Sequence, residues 1–166
     1  MTLSEAQLAF RNSSDIYKGY VALQRTYDAK NLTPDYDSVE AIELSSYNVD
    51  ILNDILELTI ENGAELIIVL TPYDAENEKH VATFKAEKEW AEENGVTFID
   101  YSLILDKIGL DPSVDYYDSA HLNVTGSTKL SRHLGEFFKS KGVTANPNAN
   151  TDQWTADYNA YKNKFQ

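Results

Sequence analysis

The first lasting pattern in the chain begins at Asn48. Val49, Leu52, Ile55, Leu56, Leu58 and Thr59 recur at helical spacing. Asn48 is placed to cap this helix and Asn62-Gly63 to stop it. The period then changes. Glu65-Leu66-Ile67-Ile68-Val69-Leu70-Thr71 is a continuous apolar run, rich in β-branched residues and ended by Pro72. A run without alternation predicts a strand covered on both faces, as in parallel sheets. Glu76 to Asn94 reads as a second helix, with Val81, Phe84, Lys88 and Ala91 near one stripe and Asn94-Gly95 as its stop. Val96-Thr97-Phe98-Ile99-Asp100 reads as a second strand.

Helix, strand, helix, strand with short connections predicts an α/β fold. The layout expected is three-layer α/β/α with a parallel sheet, flavodoxin-like. In such sheets function gathers at the carboxyl ends of the strands. Thr71, Pro72, Tyr73, Asp100 and Tyr101 would lie on that edge. A loop through Asp115 to Asn123 leads into a third helix, about Val124 to Ser140, with Leu130, Leu134, Phe137 and Phe138 on its core face. Asn123 can cap it, Gly126 in its first turn permits close approach of a neighbouring backbone, and Gly142 ends it. Ala145 to Asn150 is a linker. Trp154, Tyr158, Tyr161 and Phe165 then mark an amphipathic terminal helix, capped by Thr151 or Asp152.

Residues 1 to 36 keep no period. Gly19 to Leu23 reads as a short strand, and Leu32-Thr33-Pro34-Asp35 as a turn. The chain thus divides into a poorly defined segment at 1–47, an α/β core at 48–143, and a linker with a terminal helix at 144–166. Only two strands are clear, where a doubly wound sheet has about five. A sheet short of strands exposes an edge that templates pairing. This predicts a homodimer, or coverage of the edge by segments such as Gly19–Leu23 and Val39–Leu44.

Composition narrows the function classes. The chain is 42% hydrophobic and 25% charged, which allows a globular core. Its 27 acidic against 14 basic residues give a net charge of −13, and no Lys/Arg cluster stands out. Nucleic acid and anionic lipid surfaces are therefore not expected partners. There is no cysteine, which excludes disulfides, thiolate catalysis and zinc–thiolate sites. No apolar run approaches the roughly 20 residues of a membrane span, so no membrane insertion by this chain is expected. Met1 to Phe10 lacks the basic-then-apolar order of a secretory signal. No cofactor is implied.

The chemistry concentrates in Asp118-Ser119-Ala120-His121. A carboxylate three residues before a histidine can accept from one ring nitrogen and leave the other free as a base. The same spacing also suits a helix-capping loop with a solvated histidine, and spacing alone does not choose. A metal site from Asp115, Asp118 and His121 is conceivable, but acidic loops are abundant in so acidic a chain, and none is expected. His80 reads as an exposed helix residue and His133 as packed or half-exposed beside the third helix's apolar stripe. The terminal aromatics would suit a glycan, but fit better a helix packing back on its own domain.

The wider segment Tyr117-Asp118-Ser119-Ala120-His121-Leu122-Asn123-Val124-Thr125-Gly126 resembles the last block of SGNH (GDSL-type) hydrolases: Asp-x-x-His, then Asn, then a Gly opening the final helix. Ile67 to Pro72 is similar to that family's fourth strand with its Thr-Pro end, and Val96 to Tyr101 to its fifth. The resemblance covers roughly residues 48 to 140 and points to the DltD-like branch of Gram-positive envelope proteins. It implies an ester hydrolase or acyl transferase. The substrate would be a small-molecule or cell-envelope acyl ester, and the setting extracytoplasmic. A serine just after the first strand would attack the acyl carbon. His121 would take its proton, and Asp118 would orient His121.

The chain departs from the family at the nucleophile. No Gly-x-Ser or Gly-Asp-Ser follows an N-terminal strand, and Ser4, Ser13, Ser14, Ser45 and Ser46 all lack the elbow context. The family's oxyanion blocks have no clean match either. Asn48 is the nearest, and capping explains it better. The expectation is that the nucleophile half lies upstream of Met1, and that this chain alone is nearly inactive. A non-catalytic binding or structural module with the same fold is the alternative. A receiver-type signalling domain fits poorly, because no acidic pair follows an early strand and no Lys follows Phe98-Ile99-Asp100.

Overall fold

The computed structural model describes residues 20–30, 32–72, 77–144 and 146–165. Its first helix is opened by Ser45, whose Oγ accepts from the Asn48 N–H at 3.2 Å, and α1 runs Ser46–Glu61. The cap is therefore Ser45, three residues before the Asn48 expected from the sequence. Asn48 sits inside the first turn and supplies one of the orphan amides that a cap must satisfy. Gly63, at φ 62°, closes the other end, with its N–H on the Ile60 carbonyl.

The apolar run forms β1, Ile67–Leu70. Asn77 Oδ1 accepts from the Lys79 N–H at 2.9 Å and starts α2, Glu78–Glu93. Gly95 turns the chain into β2, Thr97–Asp100. The strands pair parallel: Ile67 with Thr97, Ile68 with Phe98, Val69 with Ile99, and Leu70 with Asp100. A 3₁₀ turn at Tyr101–Leu103 and a short α3, Leu105–Ile108, occupy the stretch that the sequence left as loop. Asp100 initiates that turn by accepting from the Ser102 N–H at 2.8 Å, and Gly109, at φ 68°, ends α3. Then come α4, Val124–Ser140, and α5, Asp152–Phe165.

Side chains alternate across a strand, so its two faces meet different partners. Ile68 and Phe98 pack against Trp90, Ala91 and Val96, the same cluster that Leu52 and Leu56 of α1 cover. Val69 and Ile99 pack instead with Tyr101, Ile108, Leu110 and Leu130 of α4. The fold is thus mixed α/β around a two-stranded parallel sheet. Further strands from the N-terminal segment are not found among the described residues. Gly19 lies outside them, and Tyr20 to Leu23 form no strand. The backbone there serves other elements: the Leu23 carbonyl accepts from the Val124 N–H at 2.8 Å. Val39 to Leu44 is likewise no strand. Lys85 Nζ donates to the Val39 carbonyl at 2.8 Å, and the Ile42 N–H goes to the Ala82 carbonyl on α2. These segments strap over the core rather than extend the sheet.

The terminal helix touches the rest of the chain through Tyr161, while Trp154 and Tyr158, expected on the same packing face, stay exposed. The Tyr161 ring meets Tyr20 edge-on at 5.6 Å, and Tyr20 Oη hydrogen-bonds Ser127 Oγ at 2.8 Å. Among the described residues, no helix is long and apolar enough to cross a membrane.

Candidate functional site

The Asp118–His121 pair hangs on a loop that its own polar groups fold. Asp111 Oδ1 accepts from both the N–H and the Oγ–H of Ser113. Asp115 Oδ2 accepts from the Asp111 N–H at 2.7 Å and from Lys129 Nζ on α4 at 2.5 Å. Asp115 is fully buried. Asn123 knits the loop's other end. Its Oδ1 caps α4 by accepting from Thr125 and Gly126, and its Nδ2 donates to the Val114 carbonyl at 2.6 Å. Its own N–H donates to the Asp115 carbonyl at 2.9 Å. Gly126 lies so close beneath that a Cβ there would stand 2.2 Å from the Asp115 carbonyl oxygen, the close approach expected of this glycine.

Beyond this base, Tyr116 is bridged to Tyr27 on one side and Leu122 on the other. The Tyr117 N–H donates to the His121 carbonyl at 2.8 Å and closes the tip. The Arg25 guanidinium stacks 4.4 Å from the Tyr117 ring centroid and donates through Nε to the Tyr117 carbonyl at 3.2 Å.

Within the tip, Asp118 Oδ1 accepts three hydrogen bonds at 2.9 Å each: from the Ala120 N–H, the His121 N–H and His121 Nδ1. A carboxylate only accepts, so the neutral ring must carry its proton on Nδ1, leaving Nε2 as the basic nitrogen. The His121 side chain is 64% exposed. Partial burial pushes the Asp118 carboxyl up, but the Ala120 amide and then the His121 ring and amide outweigh it. The net effect holds the carboxyl below its ordinary value. Such a group stabilises the fold above its unfolded pKa and loses that contribution as pH falls through the folded one. An NMR titration of the Ala120 and His121 amide shifts is expected to show a shared midpoint below about 3.9, absent in Asp118→Ala. A midpoint at or above that value would contradict the stabilised carboxylate.

The side-chain bonds of the pair stay within residues 118–121. Among the described residues none reaches Thr71, Asp100 or a serine hydroxyl. Ser45 Oγ is engaged in capping α1; Ser4, Ser13, Ser14 and Tyr73 lie outside the described residues. Thr71 is exposed and Pro72 buried. Asp100 is buried and accepts from Tyr36 Oη at 2.5 Å, besides the Ser102 amide. The three residues weighed as a metal site diverge: Asp115 turns to Lys129, while Asp118 turns to His121. Among the described residues, no group of three or more His, Asp or Glu is placed to hold an ion.

His80 is exposed on α2. His133 is half-buried, its ring edge-on to Tyr101 and its Nδ1 3.1 Å from Tyr101 Oη, while burial pushes the Tyr101 phenol up. The Asp115–Lys129 pair was not legible beforehand, because its members are 14 positions apart and no local pattern joins them. Comparison with protein-family models, curated proteins and solved structures finds no match.

Proposed function

We propose that this chain carries the base and the orienting carboxylate of an SGNH-type ester hydrolase or acyl transferase, with His121 as base and Asp118 as orienter. The observation that carries this reading is the 2.9 Å bond from His121 Nδ1 to an Asp118 oxygen that two backbone amides hold still. That geometry fixes the tautomer and presents Nε2 outward. Nε2 would take a proton from a hydroxyl or water attacking an acyl ester. Asp118 would stabilise the resulting imidazolium, which returns the proton to the leaving group. The substrate class, a small-molecule or cell-envelope acyl ester, and an extracytoplasmic setting rest on the resemblance of Asp118 to Gly126 to the family block. The packing of opposite strand faces against different helices supports a three-layer α/β/α architecture.

The alternative is a binding or structural module that keeps the fold without the reaction. The exposure of His121 favours it, as does the way the bonds of Asp118 close the loop unaided. Hydrolysis of a short-chain nitrophenyl ester separates the two. With no serine bonded to His121 among the described residues, we expect slow hydrolysis with water as nucleophile and no acyl-enzyme burst. The rate should fall to the buffer background in His121→Ala and by about tenfold in Asp118→Asn, since a positioned base contributes upward of about a hundredfold. Equal rates in all three proteins would leave the binding module as the reading. A burst lost on changing Ser13, Ser14, Ser45 or Ser46 would place a complete triad in this chain.

A further inference from the structure

The first helix has one side too many. Leu52 and Leu56 of α1 face the core, against the cluster of Trp90, Ala91 and Val96. Tyr47, Ile51, Ile55 and Leu58 follow one another at i, i+4, i+8 and i+11 and form a second apolar stripe on the adjoining flank. They are 71%, 38%, 43% and 61% exposed. The graded burial shows where the stripe lies: Ile51 and Ile55 sit lower on the flank, and Tyr47 and Leu58 near the crest. The crest itself carries Asp50, Asp54, Glu57 and Glu61, again one stripe, and α1 contains no basic residue. Contiguous apolar surface rimmed by charge marks an interaction site rather than ordinary surface.

Charge identifies the occupant. A membrane surface rich in anionic lipid is repelled by the acidic crest. A second copy docking α1 against α1 would set two acidic crests together on two molecules of net charge −13. We propose that this flank of α1 is a docking surface for an amphipathic polypeptide segment whose apolar stripe is edged by Lys or Arg. Its apolar residues cover Ile51 and Ile55 and wedge against Tyr47 and Leu58. Its cations reach Asp54, Glu57 and their neighbours along the crest. The apolar contact supplies affinity, and the acidic stripe sets orientation and rejects segments of the wrong sign.

Two synthetic helical peptides test this, identical in a leucine stripe but flanked by Lys in one and by Glu in the other. Fluorescence anisotropy should show saturable binding of the Lys-flanked peptide, with the Glu-flanked one at least tenfold weaker. Ile51→Ser with Leu58→Ser should weaken the Lys-flanked peptide at least tenfold. Asp54→Lys with Glu57→Lys should invert the preference between the peptides. All four positions are exposed, so circular dichroism should show a parent-like fold and melting in both variants. Binding indifferent to Ile51→Ser/Leu58→Ser would mean attraction to acidic surface at large and overturn the proposal. So would a parent dimer in sedimentation that the same double substitution dissociates, since the occupant would then be a second copy.

Discussion

Gly126→Ala should unfold this protein at markedly lower urea, with a loss of about 3 kcal/mol, the upper part of the range for overpacked sites. The added methyl would stand 2.2 Å from the Asp115 carbonyl oxygen and 3.0 Å from its Cβ. Neither neighbour can step aside cheaply. The carbonyl accepts from the Asn123 N–H at 2.9 Å, and the Asp115 carboxylate is tied to Lys129 and to the Asp111 amide. Gly135 on the same helix is the control. It is exposed, and a Cβ there would meet nothing within 4 Å beyond its own helix among the described residues, so Gly135→Ala should gain about 0.5–1 kcal/mol from helix propensity alone. Unfolding curves of both variants against the parent decide the matter. A Gly126→Ala protein as stable as the parent would mean that α4 can slide away from the loop, and that the loop is not set by this contact.

That glycine was visible in the sequence, and so were the elements whose signals are local. β1 showed itself because a strand covered on both faces has no polar alternation, and α4 because Asn123 and Gly126 stand together at its start. The Asp118–His121 bond was readable for the same reason: three residues of loop bring a carboxylate to a ring nitrogen with no help from the rest of the chain. Ser45 was missed as a cap because Asn48 is an equally good capping residue, and only the geometry tells which one precedes the helix. α3 is one turn long, too short for a period, although Asp100 and Gly109 bracket the stretch with start and stop chemistry. The described residues between Tyr20 and Leu32 keep no period because their shape is imposed from a distance. The Leu23 carbonyl serves Val124, Arg25 serves Tyr117, and Ala29 and Leu32 are buried with Tyr116. The homodimer expected from a bare sheet edge concerns sedimentation rather than packing within one chain. A monomer at micromolar concentration would remove its basis, since neither Tyr20–Leu23 nor Val39–Leu44 adds a strand.

The second large effect should come from Lys129, which no local pattern singles out. Lys129→Met is expected to cost about 3 kcal/mol, because it strands a fully buried carboxylate on the single amide of Asp111. The reverse change is milder. Asp115→Asn keeps the shape and the Asp111 contact, while Lys129, whose side chain is 29% exposed, can turn toward water. About 1–2 kcal/mol is expected there, the cost of an imperfectly satisfied buried polar group. Among the described residues the buried Asp115 Oδ1 has no hydrogen-bond partner, so none of them offers a spare donor to compensate either loss. The combination Asp115→Asn with Lys129→Met removes both charges and should cost clearly less than the sum, the mark of a direct pair in a double-mutant cycle. Additive losses would mean that the two side chains support the fold separately. The same variants report on the loop tip. Asp115 anchors the segment whose far end is Asp118, so Lys129→Met should also loosen the Ala120 and His121 amides. Unchanged amide shifts at Ala120 and His121 in a destabilised Lys129→Met protein would show that the Asp118–His121 tip holds its geometry independently of the buried pair beneath it.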